Sequence, residues 1–241
     1  MEENKTGATQ SFVNSANEFE RIERILLYLK VSNFRINDNI ELSIKKLKEY
    51  NEKLEVPYNF YRAKEEDFLN IETYEHSLAT MMYIRTIDNF INYFKEIISE
   101  VVLTKPQILK SNEKETLEFI LSFENFEELV NAITEKKVES LFYHGINDIK
   151  DYFLKKLNIE IFKENFKEIN LLVKQRNLAV HNRAKISKNF VQEFPSQEFE
   201  KDLYLNFDFK YVEKITMELY KIINEIDFDI AKKYHLKKVY Y

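Results

Sequence analysis

IETYEHSLATMMYIRTIDNFINYFKEIISEVV, residues 71–102, decides the fold class. No glycine or proline interrupts it. Leu78, Met81, Ile84, Ile87, Ile91, Phe94, Ile98 and Val101 recur at intervals of three and four, so they share one face of an α-helix. Pro106 ends the segment, because proline has no amide proton to donate and disfavours helix in the residue before it.

The same periodicity extends in both directions. Toward the N-terminus, Phe19, Ile22, Ile25, Leu26 and Leu29 predict a helix. Ile40, Ile44, Leu47 and Tyr50 predict a second, shorter one. Pro57 with Tyr58, Phe60 and Tyr61 marks a turn, and Met1 to Ser15 reads as flexible. Toward the C-terminus, Asn112 and Glu115 have capping-box spacing ahead of Leu117, Ile120, Leu121 and Phe123. Phe126 to Tyr143 predicts a helix with Leu129, Ile133, Val138 and Leu141 inward. Gly145 reads as its left-handed cap, and Asp148 to Leu157 as a short helix.

Ile159, Phe162, Phe166, Ile169, Val173, Arg176 and Val180 then form one stripe. Lys185 to Gln197 is polar, contains Pro195 and reads as a loop. Leu203, Leu205, Phe207 and Phe209 alternate as an extended segment does. A final helix spans Tyr211 to Lys233, with Val212, Ile215, Leu219, Ile222, Ile226 and Ile230 inward.

Composition agrees with an all-α chain. Only 2 Gly and 3 Pro leave little of the turn chemistry that hairpins and barrels need. Twenty Phe and 15 Tyr among 241 residues supply a substantial core for one large domain, or one domain with an appendage. The absence of cysteine excludes disulfides, thiolate metal sites and cysteine nucleophiles. The polar N-terminus lacks the apolar run of a signal peptide, and no segment is long and apolar enough to span a bilayer, so a cytoplasmic protein is expected. The net charge of -5 argues against a broad nucleic-acid surface, though not against a local one.

Local positive charge is concentrated in Lys174-Gln-Arg-Asn-Leu-Ala-Val-His181-Asn-Arg-Ala-Lys185. No acidic residue occurs between Ile169 and Gln192. Arg176 places a guanidinium on the packing stripe, which is costly unless it is paired or reaches water. Either it snorkels outward near the helix C-terminus and complements the dipole, or that face opens onto a site. His181 brings a side chain type that exchanges protons near neutral pH. It stands about 140° from Arg176 round an ideal helix, so the pair converges only if the helix ends or bends, or if a second subunit completes the site. Lys174, Asn182, Arg183, Lys185 and Lys188 surround the pair, and planar Arg, point-charge Lys and amide donors suit phosphate. A solvated basic turn is the plainer reading of the same residues.

Arg176-Asn177-x-x-x-His181 has the R-x4-H form, with a polar residue after the arginine, and it resembles the motif of the HEPN superfamily. The surrounding Val-Lys-Gln-Arg-Asn-Leu-Ala-Val-His-Asn is similar to its stand-alone prokaryotic members, many of them from toxin–antitoxin and phage-defence loci. The resemblance covers roughly Ile71 to Lys233 by helix order. It implies a HEPN-type helical domain over residues 71–241, with residues 1–70 a helical extension. It further implies a metal-independent endoribonuclease that needs no cofactor, with a composite site formed at a homodimer interface. Arg176 and His181 would be the catalytic pair, and Asn177 would orient or contact the phosphate. RNA would be the substrate, and a cognate antitoxin or defence-system protein a possible partner. Some members have lost activity and only bind nucleotide, RNA or a partner protein, which is the alternative reading here.

Other candidates are read more plainly. His76 beside Glu75 invites a metal, but no further ligand has suitable spacing, so it reads as a helix-start residue. His144 reads as a helix-end residue. Asp88 lies beside the long stripe near Arg85; the two predict a local ion pair, and the resemblance makes Asp88 a candidate polar residue of the cleft. His235 and the tail from Lys237 to Tyr241 read as a fraying end, or more sharply as an RNA contact.

Overall fold

The computed structural model describes residues 7–39, 41–42, 44–46, 49, 71–110 and 114–240. The chain is all-α. Ile40, Leu47 and Tyr50 of the second predicted helix lie outside the described residues, as do Pro57 with its aromatic neighbours and Asn112.

Three long helices carry the core: α1 (Gln10–Asp38), α2 (Ile71–Thr104) and, last in the chain, α8 (Phe209–Tyr234). Between α2 and α8 run α3 (Leu117–Leu121), α4 (Phe126–His144), α5 (Ile146–Tyr152), α6 (Phe166–His181) and α7 (Lys188–Glu193). Helices α1 and α8 pack on α2 from one side, and α4 and α6 pack on it from another. One apolar core joins Phe12, Phe19, Ile22 and Leu26 of α1 to Phe90, Phe94 and Ile97 of α2 and to Val212, Leu219 and Ile223 of α8.

Because α2 is covered from more than one side, its buried surface is wider than a single stripe. Met81, on the predicted stripe, is 65% exposed, while Met82 and Tyr83 are buried. Tyr83 donates its hydroxyl proton within reach of Leu172 O and Gln175 Oε1, both at 3.0 Å, and stacks on Phe207 with centroids 4.1 Å apart. That single ring ties α2 to α6 and to the segment before α8.

The N-terminal boundary differs from expectation. Helix begins at Gln10, and Thr9, Ser11, Phe12 and Ser15 are buried rather than flexible. Two carboxylates hold the segment. The Thr9 amide donates to Asp227 Oδ2 at 3.2 Å, and the Thr9 hydroxyl donates to Oδ1. The Tyr93 hydroxyl reaches the same Oδ1 at 3.2 Å. The Ser11 amide and hydroxyl both donate to Glu100 Oε1, the amide at 2.6 Å. Burial pushes the Asp227 carboxyl above its usual range, and the donors from Thr9 and Tyr93 oppose that shift.

The C-terminal tail is likewise not frayed. His235 caps α8 in a left-handed conformation, and Leu236 is buried. Beyond them β2 (Val239–Tyr240) pairs antiparallel with β1 (Gly7–Ala8), so the ladder satisfies backbone groups that a free end would leave to water.

Four further corrections concern the middle of the chain. The cap of α3 is Thr116, whose hydroxyl accepts from Phe119 N, the helix ends at Leu121 before Phe123, and Leu117 and Leu121 are 75% and 78% exposed. The helix expected from Ile159 starts only at Phe166. Asn158, Phe162 and Lys163 all have positive φ, of 50°, 66° and 23°. Phe162 is buried against Phe94, Phe90 and Phe166, so an aromatic ring rather than a helical turn occupies that part of the stripe. The polar segment after Lys185 contains α7, capped by Ser187 and anchored by the buried Phe190. The alternating segment is partly extended: Leu205 and Phe207 are buried, and the Leu205 amide donates to Ala184 O at 2.8 Å, but Phe209 already belongs to α8.

Candidate active site

Helix α6 presents Asn170, Val173, Lys174, Asn177 and His181 along one edge. These residues and Arg176 line a cleft of about 680 Å³. Its opposite wall is Asp88, Ile91, Asn92 and Lys95 of α2, and the corner between α4 and α5 closes it with Phe142, Gly145 and Asn147. The corner depends on Gly145, whose φ of 111° and ψ of -174° lie outside the left-handed helical region but in a region that only glycine adopts readily.

Arg176 neither sits in the core nor escapes to solvent, since its side chain is 24% exposed. Its Nη2 meets Asp88 Oδ1 at 2.6 Å, and its Nη1 donates to Asn177 Oδ1 at 3.1 Å. Its Nε is buried with no hydrogen-bond partner among the described residues. Asp88 therefore pairs with Arg176 and not with Arg85, which reaches Glu18 of α1 instead. The reason is the helical screw: Asp88 points toward α6 and Arg85 toward α1. Val180, predicted on the stripe, is 42% exposed, and Gln175 is buried in its place.

His181 is the last residue of α6 and is exposed at the mouth of the same cleft. The chain then reverses through Arg183 and Ala184, with φ of 51° and 62°. The reversal is fixed by the Asn182 and Ala184 amides, both donating to Leu178 O at 2.9 Å. It carries Asn182, Arg183, Lys185 and Lys188 off the cleft wall. Asn182 caps the turn by donating to Lys185 O at 2.6 Å, and Lys185 pairs with Asp202 at 3.1 Å, which holds the Asp202 carboxyl below its usual range. Lys174 lines the cleft but is met by Glu193 of α7 at 3.1 Å. The stretch that is free of acidic residues in sequence is thus answered by Asp88 and Glu193 in space.

His76 lies within α2 and its Nδ1 is 3.1 Å from Phe207 O, so it ties α2 to the extended segment. Among the described residues no three His, Asp or Glu side chains gather as a metal site, and no helix is long and apolar enough to cross a membrane. The sequence reading missed Asn92, Lys95, Phe142, Asn147 and Asn170 as cleft residues. One signal was available: Asp88, Asn92 and Lys95 with Ile91 form an i, i+3, i+4, i+7 set, a polar edge on an otherwise apolar helix.

Chemically, the cleft offers a guanidinium with a spare donor, four carboxamides, two ammonium groups and an exposed imidazole. This set binds an anion and can move a proton beside it. Compared with known protein families, with curated proteins and with solved structures, the chain matches none.

Proposed function

We propose that the chain is a metal-independent endoribonuclease of HEPN type, working as a toxin or anti-phage defence effector through a composite site built by two copies. One observation carries the reading. Arg176, Asn177 and His181 line a single cleft although the first and last stand about 140° apart round an ideal helix. The helix ends at His181, which lets the imidazole turn toward the mouth.

The chemistry follows from the residue types. RNA carries its own nucleophile, so the 2′-oxygen attacks the neighbouring phosphorus as its proton leaves to an imidazole. The bond from phosphorus to the 5′-oxygen breaks, and that oxygen takes a proton from an imidazolium. Two copies supply two imidazoles for the two transfers. Arg176 stabilises the added negative charge of the phosphorane. The products carry a 2′,3′-cyclic phosphate and a 5′-hydroxyl. A cognate antitoxin or another defence protein is the partner expected for such an effector.

One observation favours a second reading, an inactive module that binds nucleotide, RNA or a partner protein. Asp88 already neutralises Arg176 at 2.6 Å and competes with phosphate for it. Incubation of purified protein with total RNA at low salt, with EDTA present, separates the two. The nuclease reading expects cleavage that falls about 10²–10⁴-fold in Arg176→Ala and His181→Ala, with the helical circular dichroism and the oligomeric state unchanged. Cleavage at the wild-type rate by His181→Ala overturns it. Binding without cleavage, weakening steeply with salt, selects the module.

A further inference from the structure

The cleft is longer than the motif needs. Asp88, at the Arg176 end, and Lys95 stand two helical turns apart on one edge of α2, about 10.5 Å along the axis. The α6 wall runs the opposite way. Asp88 meets Arg176, whereas Phe94, further along α2, meets Phe162 ahead of the α6 start. The Lys95 end therefore faces the first turns of α6, where Asn170 lies.

Two features of that end point to a ligand. Of the cleft's Lys and Arg side chains, Lys95 alone has no carboxylate partner among the described residues. Its ammonium rests 5.3 Å from the centroid of Phe142, which holds it over the cleft without neutralising it. Asn170 donates through Nδ2 to Glu193 at 3.4 Å, which fixes the orientation of its amide and leaves its Oδ1 buried and without a hydrogen-bond partner. An unneutralised cation and an orphaned acceptor at one end match a phosphate and a donor group on the nucleoside attached to it. The carboxamides of Asn92 and Asn147 add donors and acceptors beside them.

We infer that the Lys95 end is a second subsite, in which Lys95 binds a flanking phosphate of a single RNA strand and Asn170 accepts a hydrogen bond from the adjoining nucleoside. This rests on the RNA reading of the Arg176 end. A stacked strand rises about 3.4 Å per nucleotide, so the flanking phosphate lies within about three steps of the one at Arg176. Asp88 and Glu193 quench Arg176 and Lys174 in the free protein, so Lys95 supplies the first uncompensated attraction for the strand.

The test uses 2′-O-methyl oligonucleotides of two to five residues, which bind but lack the nucleophile. The wild type is expected to gain about tenfold in affinity at the length that first reaches Lys95. Lys95→Ala loses that step, keeps the affinity of the shortest oligomer, and lowers the salt slope by about one. Lys95→Arg restores the step, which separates lost charge from lost fold. Equal length dependence in wild type and Lys95→Ala overturns the subsite even if RNA is cut. A Lys95-dependent step in a protein that cuts no RNA supports the subsite and removes the nuclease. Absence of any binding overturns both.

Discussion

Asp227 is sealed among donors at the N-terminal clasp, whereas Asp88 faces a guanidinium that still has a donor to spare. At the clasp Asp227 is 3% exposed as a residue, and Thr9, between β1 and α1, and Tyr93 of α2 satisfy its carboxylate. At the cleft Asp88 keeps 38% of its side chain exposed and Arg176 keeps an orphaned Nε. Both regions remove charge from water. The Asp227 carboxylate has both oxygens met by donors, whereas the Arg176 guanidinium leaves a donor unused beside a cavity. Satisfied burial holds the fold together; unsatisfied burial next to open space is where a ligand gains most.

Substitutions can break this contrast. The largest effect on stability is expected from Asp227→Ala, which strands the Thr9 and Tyr93 donors and should cost about 3 kcal/mol in chemical denaturation. Asp88→Ala should cost only about 1 kcal/mol, because its pair is partly open to solvent. Equal losses at the two sites would erase the distinction.

A smaller effect follows from pH. The Asp227 carboxyl titrates above its unfolded value of 3.8, because burial disfavours its charge. Between those two values the folded state binds the proton more tightly. Its contribution to stability is therefore present on the acid side and lost as pH rises through the folded-state value. The stability difference between wild type and Asp227→Asn should move in that direction across the mildly acidic range. A flat difference would mean that the donors fully offset burial. The smallest effect is expected at Arg85, exposed and paired with Glu18, where Arg85→Ala should shift stability by no more than about 0.5 kcal/mol.

The long periodic helices were legible in the sequence because α2 and α8 keep apolar spacing over many turns. The break before α6 was not, because Phe162 holds its place in the apolar series while its backbone leaves the helix. Arg176 and His181 stood out by local contrast with their neighbours. Their surroundings did not. Asp88 lies far back in the chain, and Glu193 immediately follows the stretch without acids, yet only packing brings either to the motif. Thr9 and Ser11 look like residues of a loose end until Asp227 and Glu100 arrive from elsewhere in the chain.

The aromatic wedge at Phe162 has a bearing on the motif itself. Helix α6 has no side-chain hydrogen bond at its N-cap, and the ring locked among Phe90, Phe94 and Phe166 helps to index the helix in azimuth, together with the Tyr83 hydroxyl on Leu172 and Gln175. Slippage by one residue would swing every side chain by about 100° and aim the guanidinium elsewhere. A bulky residue kept in an unfavourable backbone basin thus acts as a keyway that sets the heading of groups four turns downstream.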